Sequence, residues 1–374
     1  MATITFFPVG NADTSLICLA NSQLILVDYA NMRDANNQND KRCDLPLELK
    51  NKLAKHKQAD FRVVCFSHLD NDHVKGMGDF FWLEHAKKYQ IDGRPRIQEL
   101  WVPAAAITEE GADDDARIVR QEARYRLREG KGVKVFSRPE ALKSFLEKED
   151  LTIEKRKECI VDAGTIVDGF SLDKDERVEF FAHSPFAWRV DDQKIEDRNQ
   201  NSIVFQATFI ESGIETRAIF GGDVDSETLS EIVKTTKRHK NEIRLAWDIL
   251  KLFHHCSYKA IDSESSDPEA PLVPIEEVKW LIETQGQTGC VIISPSDVLP
   301  EKNKKGDNPP HIRAAKYYKK IIGNKDGEFK VTMEHPTKSS PKLIEVSIDS
   351  RGASVIATIG TSIGTATSIP TRAG

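Results

Sequence analysis

The chain has 374 residues, 39% of them hydrophobic and 30% charged, which is typical of a globular protein with one large or two modest domains. No apolar run approaches the ~20 residues of a membrane-spanning helix, so we expect no membrane partner. The N-terminus has no basic segment followed by an apolar core, which predicts a cytoplasmic protein without a secretory signal. The net charge of −6 argues against a protein that coats nucleic acid, but not against a nuclease with a local basic patch.

The first elements of the chain are predicted to be short strands. Apolar runs separated by turns predict an antiparallel hairpin over residues 3–29. Asp13 in its first turn fits ordinary turn chemistry, whereas Asp28, at a strand end, is expected to support a nearby site. After a predicted helix over 45–58, the run Phe61–Phe66 predicts a buried strand.

The residues after that strand carry the densest polar pattern in the chain. His68, Asp70, Asp72 and His73 all lie within six residues. Side chains that leave a strand end and turn can converge on one point, and these would hold metal ions given further ligands from elsewhere. The alternative explanation is a polar turn with Asp72 as a helix N-cap. A helix is predicted to follow over 77–89.

The stretch 104–160 is strongly charged. A helix is predicted over 113–130, with arginines interleaved among acidic residues, and a second over 139–149. An exposed, salt-bridged helix is the favoured interpretation. A surface that docks nucleic acid or a protein partner is the alternative.

The second half of the chain is predicted to be rich in strands, with helices between them. The strands are expected at 178–182, 201–209, 216–220, 249–253 and 289–294, with helices at 226–237 and 311–322 and a closing hairpin over 342–359. Such an arrangement predicts an α/β sandwich. The Thr-, Ser- and Gly-rich end, 361–374, predicts a disordered tail.

Two strand ends in this half carry further candidate ligands. Gly221-Gly222-Asp223 follows one strand, and its glycines would let the backbone approach a neighbour closely. An N-cap role for Asp223 is the alternative. His254-His255 follows another strand, and adjacent histidines are uncommon as core residues. The sequence does not separate their roles, although we favour His255 as the ligand and His254 as the residue facing the substrate.

These motifs resemble a known family. His68-x-Asp70-x-Asp72-His73 resembles the metallo-β-lactamase-fold signature, with Asp70 where the signature has a histidine. This variant is similar to the metallo-β-lactamase-like domain of the DNA-uptake channel proteins of bacterial competence, and to its stand-alone relatives. Leu250-Lys251-x-x-His254-His255 is also similar to the family, although Cys256 replaces its glycine. The resemblance implies a single αββα metallo-β-lactamase sandwich over 1–360, with a charged helical insertion at 104–160.

The resemblance also implies site residues and two divalent ions. The implied metal ligands, with Asp223 as the bridge, are His68, Asp70, Asp72, His73, Asp223 and His255. The implied catalytic residues are Asp72, His254 and His311, with His311 as a general acid. The candidate substrate contacts are Asn201, Ser202, Lys251, Lys302, Lys304 and Lys305. His183 is a weaker candidate ligand. Because Asp70 adds a hard anionic donor, both Mn²⁺ and Zn²⁺ suit the set.

The expected function is that of a binuclear metal-dependent phosphodiesterase, a nuclease acting on single-stranded DNA or DNA ends. One alternative is hydrolysis of a small phosphodiester, such as a phosphorylcholine ester or a cyclic nucleotide. Another is a metal-stabilised binding or effector subunit that docks a protein partner through 104–160.

Overall fold

Two β-sheets form the centre of the molecule, which the computed structural model describes over residues 1–187, 198–262 and 270–357. The first sheet has nine strands in the order β17-β16-β1-β2-β3-β4-β5-β6-β7, and the second has six in the order β13-β12-β11-β10-β9-β8. The strands are β1 (Ala2–Phe6), β2 (Ser15–Cys18), β3 (Leu24–Val27), β4 (Phe61–Cys65), β5 (Ile97–Pro103), β6 (Val133–Phe136), β7 (Ile160–Val161), β8 (Val178–Ser184), β9 (Val204–Glu211), β10 (Ile214–Gly221), β11 (Trp247–Lys251), β12 (Gly286–Ser294), β13 (Glu328–Val331), β14 (Pro336–Thr337), β15 (Ser340–Pro341), β16 (Ile344–Asp349) and β17 (Gly352–Val355).

Helices cover the outer face of each sheet. In the described ranges they are α1 (Leu45–Lys55), α2 (Asn71–Val74), α3 (Met77–Phe80), α4 (Ala104–Thr108), α5 (Asp114–Glu129), α6 (Glu140–Lys148), α7 (Ser226–Arg238), α8 (Glu276–Lys279) and α9 (Ile312–Gly323). None of these described helices has both the length and the apolar character needed to cross a bilayer.

The core has three layers, and β3 shows how one strand serves two of them. Leu24 and Leu26 pack into the cluster that contains α1, α5 and α6, whereas Ile25 and Val27 pack into the cluster between the sheets. Alternate residues of a strand point to opposite faces, so a strand covered on both faces is apolar throughout. A third cluster joins the second sheet to α7 and α9. This is the predicted αββα sandwich, and the prediction is confirmed.

The predicted helix over 77–89 is wrong beyond its first turn. α3 ends at Phe80, and the backbone of Phe81 is extended. The Phe81 ring is fully buried and lies edge-on to Phe61, with 5.9 Å between the ring centroids. The carboxylate of Glu122 accepts hydrogen bonds from the Glu84 and His85 amides at 3.0 and 2.9 Å. Packing and side-chain hydrogen bonds therefore replace the helical hydrogen bonds here.

The charged segment 104–160 is largely helical, as predicted, but it also supplies β6 and β7. Four of the five arginines of α5 bond within the described part of the domain, the exception being Arg117. Arg126 donates to Glu122 at 2.8 Å, and both side chains are buried. Arg120 and Arg124 donate to the carbonyls of Glu109 and Ile107 at 2.9 and 2.8 Å. These arginines thus anchor α5, which weakens the alternative of a nucleic-acid-binding arm. The predicted tail, 361–374, lies outside the described residues.

Candidate metal centre

Strand ends from both sheets meet at one edge of the sandwich. Strands β3 to β7 run parallel in the first sheet, and β10 to β13 run parallel in the second. The loops after β4, β10 and β11 carry the predicted His and Asp residues. Because these loops all leave the carboxyl ends of parallel strands, the fold collects their side chains in one place.

Asp28 at the end of β3 orients the loop after β4. One of its carboxylate oxygens accepts a hydrogen bond from the Ser67 amide at 2.7 Å. The other accepts from the Ser67 hydroxyl at 2.8 Å and from Nδ1 of His73 at 2.9 Å. In the neutral imidazole, which is the form that binds a metal, this contact would keep the proton on Nδ1 and direct the lone pair of Nε2 towards the cluster. The predicted supporting role of Asp28 agrees with this geometry.

A main-chain carbonyl orients His255 in the same way. Nδ1 of His255 donates to the carbonyl oxygen of Pro295 at 2.9 Å, so in the neutral imidazole Nε2 would be the nitrogen free to bind a metal. The backbone of His254, His255 and Cys256 is left-handed, with φ of 47°, 50° and 66°. This turn directs the two histidines differently. The His255 side chain is 1% exposed, whereas that of His254 is 18% exposed.

Glycine lets Asp223 reach the centre. A Cβ on Gly222 would lie 2.7 Å from the Ser67 hydroxyl oxygen and 2.8 Å from that of Ser202. Only a residue without a side chain allows the end of β10 to approach the end of β4 this closely. The N-cap of α7 is Asp225, whose side chain accepts from the Thr228 amide at 2.8 Å. Asp223 therefore has no capping role in this helix.

The side chains converge on one point. Nε2 of His73 lies 3.3 Å from Oδ1 of Asp223, and Nε2 of His255 lies 3.3 Å from Oδ2 of the same carboxylate. Oδ2 of Asp72 lies 3.2 Å from Nε2 of His255. Among the described residues, the buried Nε2 atoms of His68, His73 and His255 have no hydrogen-bond partner, and neither has Oδ1 of Asp223. A bound cation would give these buried nitrogen and oxygen atoms the partner that they lack.

The ligand atoms form two overlapping groups that suit metal ions. One comprises Asp13, His73, Asp223 and His255, and the other His68, Asp72 and His73; within each group the atoms lie within 4.8 Å of one another. Imidazole and carboxylate donors in these numbers fit divalent Zn²⁺ or Mn²⁺. The residues present therefore fit the predicted metal centre.

Asp13 is a member of this cluster that the sequence interpretation missed. Its Oδ2 lies 3.9 Å from Nε2 of His73 and 2.6 Å from Nζ of Lys251. Both Asp13 and Lys251 are 1% exposed. The Gly10-Asn11-Ala12-Asp13 turn shows a carboxylate but gives no sign of where it points. The prediction of Lys251 as a substrate contact is corrected, because its ammonium group is sealed beneath the cluster against Asp13.

The cluster concentrates negative charge out of contact with water. Burial opposes a proton on His255, but Asp223, Asp72 and Asp13 outweigh it and raise the His255 pKa to about 10. Burial likewise opposes a proton on His73, and Asp28 and Asp223 outweigh it and raise that pKa. Burial would raise the pKa of Asp223, yet the two histidines hold it well below its ordinary value. Protonated imidazoles thus occupy positions where the carboxylates attract positive charge.

His68 and Asp70 complete the loop on its outer side. Burial, together with the neighbouring His73, lowers the His68 pKa to about 4, so the imidazole is neutral and able to coordinate a metal. Asp70 occupies the N-cap position of α2, with its Oδ2 3.6 Å from Nε2 of His68. Its side chain is 37% exposed, so it is the ligand candidate most open to solvent.

Several other predicted site residues lie elsewhere. Nε2 of His183 donates to the Arg244 carbonyl at 2.8 Å, and His183 is in neither ligand group, so it is not a metal candidate. Ser202 is fully buried against Gly222, and Asn201 is 7% exposed, which gives a substrate little access to either. Both ring nitrogens of His311 bond to the main chain: Nε2 donates to Asp307 at 3.1 Å and Nδ1 accepts from Tyr258 at 3.4 Å. Both ring nitrogens of His311 are thus engaged in holding the main chain, and the prediction of His311 as a general acid is corrected.

The predicted lysine loop lies beside the centre. Lys302, Lys304 and Lys305 are all exposed. Only Lys304 lines a pocket of about 330 Å³ that His254 and His311 also line. Nε2 of His254 lies 4.0 Å from Oδ2 of Asp223, so the pocket adjoins the ligand cluster.

Comparisons with known proteins give only distant similarities. No family profile matches the chain, and no curated protein is significantly similar to it. Among solved structures, a diphosphatase of the PhnP family is similar at 10% identity over 67% of this chain and 74% of that one, with a TM-score of 0.27. BJP-1, a subclass B3 metallo-β-lactamase of Bradyrhizobium japonicum, is similar at 14% identity over 72% and 83%, with a TM-score of 0.29. Because these sequence identities and TM-scores are low, the assignment of the αββα sandwich depends on the arrangement of helices and sheets in this chain itself.

Proposed function

We propose that this protein is a binuclear metal-dependent phosphodiesterase and that its substrate is DNA, either single-stranded or at an end. The observation that carries the proposal is the convergence of buried, unpartnered ligand atoms of His68, His73, His255 and Asp223 at one sheet edge. Two divalent ions bound there would supply a water nucleophile near neutral pH and positive charge for phosphoryl oxygens.

The chain's own residues divide the remaining work. Asp28 and the Pro295 carbonyl hold the imidazoles of His73 and His255 in the orientation that coordination needs. Asp223 lies between these imidazoles, and its carboxylate would help to hold a metal ion there. His254, at the mouth of the adjoining pocket, is placed to hydrogen-bond a phosphoryl oxygen or the leaving group.

Support for DNA comes from the resemblance of the motifs to the DNA-uptake proteins and from Lys304 in the pocket beside the centre, with Lys302 and Lys305 exposed in the same loop. A row of exposed cations next to a phosphodiester site suits a polymer that carries a phosphate at each nucleotide.

A small phosphodiester is the second candidate substrate. The pocket beside the centre has a volume of about 330 Å³. That is at the small end of the usual ~300–1,000 Å³ range of small-molecule sites. A long polymer does not need such a pocket, whereas a small ester could fill it.

To test this, purified protein is loaded with Mn²⁺ or Zn²⁺ and incubated with end-labelled single-stranded or duplex DNA. Bis-p-nitrophenyl phosphate is assayed in parallel as the small substrate. We expect all cleavage to be lost in Asp223→Ala, and cleavage of DNA to fall steeply as salt rises because phosphate contacts release counterions. Cleavage of the small ester without cleavage of any DNA would favour the second candidate. Asp223→Ala activity near that of the wild type would reject the metal centre.

A further inference from the structure

The pocket beside the metal centre is a separate feature from the ligand cluster. Its walls are the turn after His255, with Ser257, Tyr258 and Lys259, and the loop from Asn303 to His311. His254 belongs to both places, since it lines the pocket and its Nε2 lies 4.0 Å from Asp223. A group bound in the pocket would therefore lie close to a group that reacts at the centre.

The walls of the pocket are held in place by their own hydrogen bonds. Oδ1 of Asn303 accepts from the Ile312 amide at 2.7 Å, and Nδ2 of Asn303 donates to the Pro310 carbonyl at 3.1 Å. His311 links the two walls, because its ring bonds to the main chain of Asp307 on one side and of Tyr258 on the other. The pocket is therefore formed before any ligand arrives.

The charged side chains that line the pocket, as far as the described residues show, are Lys259, Lys304, Arg313 and Asp307, so the lining carries a net positive charge. Lys259 and Lys304 are exposed, and neither forms an ion pair with an acidic side chain in the described parts of the chain. The Arg313 guanidinium lies 3.9 Å from the centroid of the Tyr258 ring and adds positive charge to the same wall. Asp307 is the acidic residue of the lining, and its carboxylate accepts from the Lys304 amide at 2.7 Å, so it serves to close its own loop.

Two ammonium groups in a preformed pocket, without an acidic partner among the residues that the structure describes, suit a phosphate. We propose that this pocket binds a second phosphate group of the substrate, next to the phosphodiester that is cleaved, with Lys259 and Lys304 as its contacts. This inference rests on the proposed function, and it narrows the substrate class to phosphodiesters that carry a neighbouring phosphate. A DNA strand satisfies this requirement, and so does a small ester with a terminal phosphate.

Thymidine dinucleotides provide the test, with no terminal phosphate, with a 5′ phosphate, or with a 3′ phosphate. For metal-loaded wild-type protein we expect one of the two terminal phosphates to raise kcat/KM by about ten- to a hundredfold, as expected when charge-assisted hydrogen bonds are added. If the 5′ phosphate gives the gain, the pocket lies on the 5′ side of the scissile bond. If the 3′ phosphate gives it, the pocket lies on the 3′ side.

Matched variants connect this gain to the pocket. Lys259→Gln with Lys304→Gln should abolish the gain, so that this variant cleaves the dinucleotides with and without a terminal phosphate at the same kcat/KM. Lys302→Gln with Lys305→Gln removes the same charge from the same loop region outside the pocket, and it should keep the gain. A gain at neither end, or a gain that survives in the Lys259 and Lys304 variant, would overturn the proposal. The proposal would also be overturned if the Lys302 and Lys305 variant lost the gain to the same extent as the Lys259 and Lys304 variant.

A binding measurement separates this proposal from the proposed function. Dinucleotides with a methylphosphonate linkage cannot be cleaved as phosphodiesters, so calorimetric titration reports binding alone. A terminal phosphate should tighten binding to wild-type protein by about tenfold or more and not to the Lys259 and Lys304 variant. If no ester is hydrolysed but this difference is found, the proposed function fails and the phosphate pocket stands. If hydrolysis occurs without the difference, only the pocket fails.

Discussion

Asp28 shows how a residue that touches no substrate can control a metal centre. It sits in the left-handed region, with φ of 57°, and its carboxylate reaches both Ser67 and His73. Aspartate is one of the few residues other than glycine that adopt this conformation readily. Position 28 therefore requires both a left-handed backbone and a carboxylate that accepts hydrogen bonds. Aspartate meets both requirements, in agreement with the prediction that Asp28 supports the nearby site.

The histidines of the centre predict how stability depends on pH. In the metal-free protein the pKa values of His73 and His255 lie above the ordinary 6.5, that of His255 at about 10. Between pH 6.5 and 10 the folded chain therefore holds more protons than the unfolded chain. We expect the free energy of unfolding, measured with urea after chelation, to be highest below pH 6.5 and to fall as the pH rises towards 10.

Metal loading provides the control for this prediction. Bound ions must displace the protons from the same imidazoles, so metal affinity should increase as the pH rises. The loaded protein should then lose less stability over this range than the chelated protein, or gain some. An identical pH dependence with and without metal would show that these histidines are not ligands.

At this scale the sequence predicted the local motifs well and the distant pairings poorly. His68, Asp72, His73, Asp223 and His255 all follow recognisable strands, and the structure brings them together. Asp13 and Lys251 meet across 238 positions of sequence. On the sequence alone, Asp13 is interpreted as a turn residue and Lys251 as a substrate contact. Nothing local to either one indicates their pairing, because it depends on how the two sheets are stacked.

The turn after β11 is the most strained element described in the molecule. His254, His255 and Cys256 are consecutive residues with positive φ, and none is a glycine. Each L-residue in this conformation costs roughly 1–2 kcal/mol. Packing compensates, since Cys256 is fully buried near Tyr318. Burial also raises the Cys256 pKa to about 12, so its thiol is protonated and unreactive at neutral pH.

A pair of substitutions measures this strain. Cys256→Ala and Cys256→Gly both remove the buried thiol, but only the glycine variant also removes the Cβ that opposes a positive φ. We expect Cys256→Gly to be more stable than Cys256→Ala by about 1 kcal/mol, the reverse of their order in an ordinary helix or strand. Urea unfolding of the two variants gives the difference. An alanine variant as stable as the glycine variant would show that the turn is relaxed.

Element boundaries illustrate where sequence patterns stop being informative. α5 was predicted within a residue of its ends, because acidic residues begin it and Gly130, with φ of 72°, ends it. α3 was predicted too long, because the hydrogen bonds that replace it come from Glu122 on another helix. β6 and β7 were not predicted, since they are short and lie within a charged segment whose pattern indicated helices.

The whole molecule places its chemistry at one edge of the sandwich. The larger ligand group draws on both sheets, since Asp13 and His73 follow strands of the first sheet whereas Asp223 and His255 follow strands of the second. The cluster between the sheets, which includes Trp101, Phe180 and Phe205, fixes their relative position. The αββα arrangement could be predicted from alternating strands and helices. The spacing of the ligand atoms could not, because it is set by this packing.

The overall charge is consistent with local rather than general recognition of phosphate. The chain carries a net charge of −6, and the cluster itself is rich in carboxylates. Bound divalent ions would reverse the sign of the potential at the centre, and Lys259 and Lys304 would extend that positive region into the pocket. A docking role for the segment 104–160 stays a prediction.

Titration of the chelated protein with Mn²⁺ or Zn²⁺, while hydrolysis of bis-p-nitrophenyl phosphate is followed, tests the central claim most directly. We predict no hydrolysis without metal, a rise on addition of metal, and saturation at two ions per chain, with Asp223→Ala inactive at every ratio. Hydrolysis that persists after chelation, or no hydrolysis at any ratio of either metal, would contradict a binuclear phosphodiesterase.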